Sequence, residues 1–222
     1  MSAGEVEDVP GLPGELPPGE TLLWQGRPEW RSLARHTFKV RWVAGYFAFL
    51  LAVRVGVMLT RGESDWGHFA GFVGLALACL AMLHALAWVY ARSAIYSITS
   101  RRVVMRIGVA IPMTWNLPFR RIASAGVLAR ADGEGDIALE LVAPDRIAWL
   151  HLWPHTKPGE YARARPSFRS VPKAQAVAKI LADAVATWAE TEKKSIMLGA
   201  EPEVQPTRVV RPTALVPAEK SA

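Results

Sequence analysis

Residues 69–90, FAGFVGLALACLAMLHALAWVY, decide the fold. The run carries no formally charged side chain and matches the roughly 20 helical residues needed to cross about 30 Å of hydrocarbon. A second apolar run precedes it at residues 40–60, with Arg41 at its entrance and Arg54 well inside. Both runs are apolar on all sides, and the rest of the chain is too short to wrap two such helices in a soluble core. The sequence therefore predicts two membrane spans joined by the short polar connection RGESDWGH, residues 61–68.

Charge sets the orientation. Arg31, Arg35, Lys39 and Arg41 precede the pair, and Arg92, Arg101, Arg102 and Arg106 follow it, while the connection is close to neutral. The positive-inside rule then places both termini in the cytoplasm, with Trp30, Trp42, Trp66, Trp88 and Tyr90 as interface anchors. Over the 222 residues, 51% are hydrophobic and 21% charged, which excludes a wholly disordered protein. Topology accounts for most of the net charge of +6, so no nucleic-acid partner is implied. The single cysteine, Cys79, excludes an internal disulfide framework and a multi-cysteine metal site. Residues 1–20 are rich in Gly, Pro and acids and show no cleavable signal peptide.

After Ser93 the pattern changes to short segments, AIYSIT, RRVVMRIGV, FRRIASAGVLAR, DIALELV and IAWLHLW, separated by turn residues. These predict strands of an antiparallel sheet that curls or closes. A basic loop over 155–170 leads to one helix, with Pro172 in its first turn and Val177, Ile180, Leu181, Ala184, Val185 and Trp188 on a common face.

Three stretches carry a resemblance. GETLLWQGRPEW (19–30), YSITSRRVVMRIGV (96–109) and NLPFRRIASAGV (116–127) resemble bacterial membrane-anchored PH-like proteins. From about residue 12 to 190, including PSFRSVPKAQAVAKILADA, the chain is similar to the PuhB family of photosynthetic complex assembly proteins of purple bacteria. The fold expected is a membrane α-helical hairpin plus a mainly antiparallel β PH-like domain closed by one C-terminal α-helix. Its parts are a flexible segment (1–20), a cytoplasmic interfacial segment (21–39), a transmembrane hairpin (40–90), the PH-like domain with its helix (91–194) and a disordered tail (195–222). The resemblance implies a non-catalytic assembly factor in the bacterial inner (intracytoplasmic) membrane. Its expected partners are reaction-centre and core light-harvesting (LH1) subunits and membrane lipids. The alternative is a general membrane-anchored PH-like lipid- or protein-binding module unrelated to photosynthesis.

Several residues are candidates for partner contact. An arginine at the bilayer centre costs at least about 2.5 kcal/mol, so Arg54 either snorkels toward the loop side or meets a client or lipid phosphate. His84 either packs and hydrogen-bonds within the helices or touches bacteriochlorophyll, the one cofactor considered. Gly67, Gly71 and Gly74 permit close helix approach, within the hairpin or toward a client helix or second copy. Arg101, Arg102, Arg120, Arg121, Arg163 and Arg165 are candidates for lipid or protein contact, against the plainer reading of a solvated face. No HExxH, G-x-S-x-G or phosphate-binding glycine loop occurs, and Asp132, Glu134 and Asp136 read as turn residues. No enzymatic role is expected.

Overall fold

The structure, a computed structural model, describes residues 11–12, 14–62, 66–109, 111–142, 147–159 and 164–197. In chain order come strand β1 (Leu22–Gly26), helix α1 (Trp30–Ser32), a π-helical turn (Leu33–Thr37), and helices α2 (Val40–Arg61) and α3 (Trp66–Ser93). Then follow β2 (Ile95–Thr99), β3 (Arg102–Ile107), β4 (Met113–Pro118), a 3-10 turn (Phe119–Arg121), β5 (Ile122–Ala129), β6 (Glu134–Leu141), α4 (Trp149–Leu152), β7 (Ser167–Pro172) and α5 (Ala174–Met197). The chain groups into two units, the first ending at Trp188 and the second beginning at Ala189. Of the second, residues 189–197 are helical.

Helices α2 and α3 are long and apolar enough to cross a membrane, and their most apolar windows are only 6% and 11% buried. A core helix of a soluble protein would be mostly covered, so these two helices leave their apolar faces for another environment. Lys39, at a left-handed φ of 55°, separates α2 from the π-helical turn, and Gly62 ends α2 at a φ of 66°, the usual left-handed stop for a helix.

The strands form two antiparallel sheets, β1-β2-β3-β4 and β5-β6-β7. β1 pairs with β2 although the whole hairpin lies between them in sequence. Gly26 faces Tyr96 in the register, and Gln25 Nε2 donates to Ser97 Oγ at 3.0 Å across 72 positions. A single residue, Ala94, separates α3 from β2, and its N–H donates to the Tyr90 carbonyl. The hairpin is thus an insertion between neighbouring strands, and both of its ends leave the same end of the sheet.

The core lies between the sheets and under α5. Tyr96 stacks on Phe168 with ring centroids 4.5 Å apart, and Trp24 stacks on the same Phe168 at 6.0 Å. Helix α5 covers this core with Val177, Leu181 and Ala184, the apolar face expected from its period, and Phe119 meets Trp188 edge-on.

Some sequence expectations are corrected. Residues 22–26 lie in β1, not in an interfacial segment, because Trp24 fills the core while the ladder to β2 satisfies the backbone. IAWLHLW holds α4 instead of a strand, and the basic loop over 155–170 contains the start of β7, whose Phe168 and Val171 are buried. Pro172 ends β7, and α5 starts two residues later. Near the N-terminus, Glu20 is buried and holds Arg102 by two hydrogen bonds of 2.7 Å, so specific contacts reach into the segment expected to be flexible. The tail from 198 lies outside the described residues.

Phe168→Ala removes the ring shared by Tyr96 and Trp24. It should cost about 3–5 kcal/mol, seen as a lower midpoint in denaturant unfolding of the detergent-solubilised protein.

Candidate functional site

The sequence patterns of β6 and β7 put Ile137 and Phe168 into the core and leave Asp136 and Arg169 on the opposite side of the sheet. That side is covered by the π-helical turn that leads into α2. Asp136 sits at a register irregularity in the β6-β7 ladder and is only 5% exposed. Its Oδ2 accepts from Arg130 Nη2 at 2.6 Å and Arg169 Nη1 at 2.8 Å, while Oδ1 accepts from the Ser170 backbone N–H at 2.8 Å. Arg169 Nη2 continues to Thr37 Oγ1 at 2.8 Å, which ties the PH-like sheet to the turn before the membrane helix. Burial lowers the Arg169 pKa, and Asp136 works in the opposite direction.

The chain of contacts runs on into the core. The Arg169 backbone N–H donates to the Tyr96 hydroxyl, which also hydrogen-bonds His155 Nδ1. Burial pushes the His155 pKa down to about 3, so the folded protein holds it neutral. Burial also raises the Tyr96 phenol above its ordinary value. The geometry is a structural bolt, and no group of three or more His, Cys, Asp or Glu able to hold a metal occurs among the described residues.

At the junction with the membrane helices, Phe38, Tyr90 and Trp153 form a three-ring contact with centroids 5.5–6.0 Å apart. Phe38 precedes α2, Tyr90 lies near the end of α3 and Trp153 follows α4, so the cluster joins both hairpin ends to the domain. Beside it is an open groove of about 1050 Å³, lined by Arg35, His36, Lys39 and Arg41, by Trp42, Gly45, Tyr46 and Phe49 of α2, and by residues 130–132 of the β5–β6 turn. Burial, followed by the field of Arg130, lowers the His36 pKa.

The residues singled out in the sequence fall in several places. Arg101 lies in the β2–β3 turn and Arg102 opens β3, with Arg120 and Arg121 in the 3-10 turn beside them, where the Phe119 N–H donates to the Arg101 carbonyl. Both turns lie at the strand ends opposite those joined to the hairpin. Arg102 is engaged by Glu20, and Arg165 pairs with Glu140 at 3.4 Å. Arg163 lies outside the described residues. Arg54 is half-buried on α2. His84 is exposed on α3; its Nδ1 lies 2.8 Å from the Leu80 carbonyl, which only accepts, so Nδ1 donates. Gly67, Gly71 and Gly74 are exposed, and a Cβ built at Gly71 or Gly74 would meet nothing within 4 Å. These two glycines therefore do not hold the hairpin together; the small buried residues of α3 are Ala76, Ala87 and Ala91.

Sequence reading took Asp136 for a turn residue and set the groove cations aside as topology signals. The available signal for Asp136 was its place one residue before the alternating run Ile137, Leu139, Leu141, which puts it within a strand.

Four- and three-stranded antiparallel sheets closed by a C-terminal helix, interrupted by a hairpin of two helices long and apolar enough to cross a membrane, define a PH-like protein. The chain belongs to the bacterial PH domain family, whose pattern it matches over residues 40–185. It is also 38% identical over 192 residues, 81% of this chain and 86% of the relative, to a Rhodobacter capsulatus protein described as an uncharacterized 23.7 kDa protein in the puhA 5′ region. Both findings agree with the PuhB resemblance carried by the sequence. No solved structure matches the chain. The bacterial PH domain is a non-enzymatic fold family, in keeping with a site made for holding.

Two predictions follow from the buried chain of contacts. Asp136→Asn leaves Arg169 buried without its counter-charge and should destabilise the fold by about 3–5 kcal/mol in denaturant titration. His155 titrates near 6.5 when unfolded and about 3 when folded. Its contribution is thus complete above pH 6.5 and is lost as pH falls toward 3, because only the unfolded chain takes up the proton. His155→Gln, which keeps a hydrogen-bond partner for Tyr96, should flatten the acid loss of stability by about 1 kcal/mol per pH unit below about pH 6.

Proposed function

We propose that this protein is a non-catalytic assembly factor for the photosynthetic reaction centre and its core light-harvesting complex, seated in the bacterial inner membrane with both termini in the cytoplasm. The observation that carries the reading is the hairpin itself, inserted between β1 and β2 and presenting α3 with an open glycine face. A lone anchor has no need of such a face, whereas a factor that holds partner helices does. Apolar helices gain little from association in lipid beyond close packing and polar contacts. Gly67, Gly71 and Gly74 offer the first to a client helix, and Arg54 and His84 the second.

The location of the Rhodobacter capsulatus relative beside puhA, a reaction-centre gene, supports the photosynthetic assignment. The return of both hairpin ends to one sheet end, with basic residues flanking them, supports the orientation. His84, exposed on α3 with Nδ1 turned to the Leu80 carbonyl, lies on another side of the helix from the glycines, and its second ring nitrogen is the candidate for transient contact with client pigment.

In a phototroph lacking the gene, reaction-centre and core-antenna levels should fall while pigment synthesis continues. Complementation with Gly71→Leu/Gly74→Leu should leave the protein folded and membrane-bound, since nothing in the structure opposes either side chain, yet fail to restore the complexes in absorbance spectra of membranes. Full restoration by this variant would remove the glycine face from the account.

A further inference from the structure

The groove at the head of α2 combines two features that seldom coincide on a protein surface. Its mouth is cationic: Arg35, Lys39 and Arg41 are exposed around it, Arg130 enters from the β5–β6 turn, and Asp132 is the one acid in its lining. Its floor is apolar and aromatic. Trp42, Gly45, Tyr46 and Phe49 recur at helical spacing on one face of α2, and the three rings are 78%, 60% and 65% exposed. Cations stacked above an apolar stripe, along the axis of a membrane-length helix, match a molecule with an anionic head and a hydrocarbon body. The first turn of α2 adds to this. It holds no acid, its preceding residue Lys39 makes no side-chain cap, and a 22-residue helix directs its positive end to the same place.

Depth in the membrane is consistent with that occupant. The β3–β4 turn lies at the hairpin end of the sheet and exposes Val109 and Ile111, the latter by 75%. The turn is held by Gly108 at a φ of 113°, where a Cβ would strike the Ile111 carbonyl oxygen. This apolar edge and the aromatic stripe put the polar–apolar boundary of the bilayer near the groove mouth.

We infer that the groove is a binding site for one anionic phospholipid, its phosphate held by Arg35, Lys39, Arg41 and Arg130 and an acyl chain lying along Trp42, Tyr46 and Phe49. Guanidinium groups receive the phosphate through paired N–H donors, and the half-buried His36 offers a further ring nitrogen. A zwitterionic lipid would bring its own cation into a mouth already crowded with them and is disfavoured. The turns carrying Arg101, Arg102, Arg120 and Arg121 are cationic but lie at the far end of the sheet from the hairpin, away from the aromatic stripe of α2. The site requires the hairpin to lie in a bilayer but is independent of any role in photosynthetic assembly.

The test uses the full-length protein in neutral detergent, with lipid retention followed by native mass spectrometry. Dioleoyl phosphatidylglycerol, dioleoyl phosphatidylcholine and inorganic phosphate are added in separate arms. One tightly retained phosphatidylglycerol is expected, with phosphatidylcholine retained far less and phosphate neither retained nor able to displace the lipid. Arg35→Gln/Arg41→Gln should weaken retention about thirtyfold, as two basic contacts near a membrane surface would. Arg120→Gln/Arg121→Gln removes the same charge from the far turn and should change it less than about twofold. Tyr46→Ala/Phe49→Ala keeps every cation and should also release the lipid. Near-ultraviolet circular dichroism confirms folding of each variant. Equal retention of both lipids, equal loss in the groove and far-turn variants, or displacement by millimolar phosphate would each overturn the inference. Whether a gene-deletion strain assembles its complexes is a separate readout, so the two proposals fail independently.

Discussion

A carboxylate taken out of water costs several kcal/mol unless opposite charge and hydrogen-bond donors meet it, and Asp136 is met on every side. Arg130 comes from the end of β5, Arg169 and the Ser170 N–H from β7, and Arg169 reaches onward to Thr37. Removing any one element would strand a buried charge. The sheet and the pre-membrane turn therefore cannot part without a penalty much larger than an exposed ion pair would impose. This is how a small β domain, joined to the apolar hairpin at both of its ends, is kept in a fixed relation to it. The aromatic contact of Phe38, Tyr90 and Trp153 reinforces the same junction with packing instead of charge.

The rest of the molecule follows from that junction. With α3 running into β2 through one residue and the π-helical turn bolted to β7, the groove walls come from two sources held in register: the α2 face and the β5–β6 turn. Arg130 takes part in both the bolt and the groove, so a charge bound outside would be felt by the buried carboxylate within. The α3 glycines lie elsewhere, on a surface that the fold leaves uncovered.

Much of the architecture was legible in the sequence because the signals were strong. Two uncharged or nearly uncharged runs of membrane length, alternation at Ile137, Leu139 and Leu141, and the period of Val177, Leu181 and Ala184 each specify an element by themselves. Strand β1 escaped because LLWQG has too few residues to show a period, and its partner lies beyond the hairpin. Strand β7 was hidden by Arg165 and Arg169, which suggest solvent when only composition is weighed; Arg169 is buried because Asp136 is there to receive it. The basic residues near the membrane were recognised by the sign of their charge. Which of them converge depended on a turn nearly a hundred positions downstream of Arg35, and pairwise proximity at that distance leaves no local trace.

The pairing of Gln25 with Ser97 has a bearing on how the chain is made. The first strand leaves the ribosome long before its neighbour exists, and it must wait while both apolar helices are made and the chain turns back. If the chain between them failed to double back, the two strands would be kept apart and the four-stranded sheet would lack its β1–β2 ladder. Completion of the sheet therefore depends on the hairpin returning to where it began, and a chain in which it did not would leave the edge of β2 unpaired.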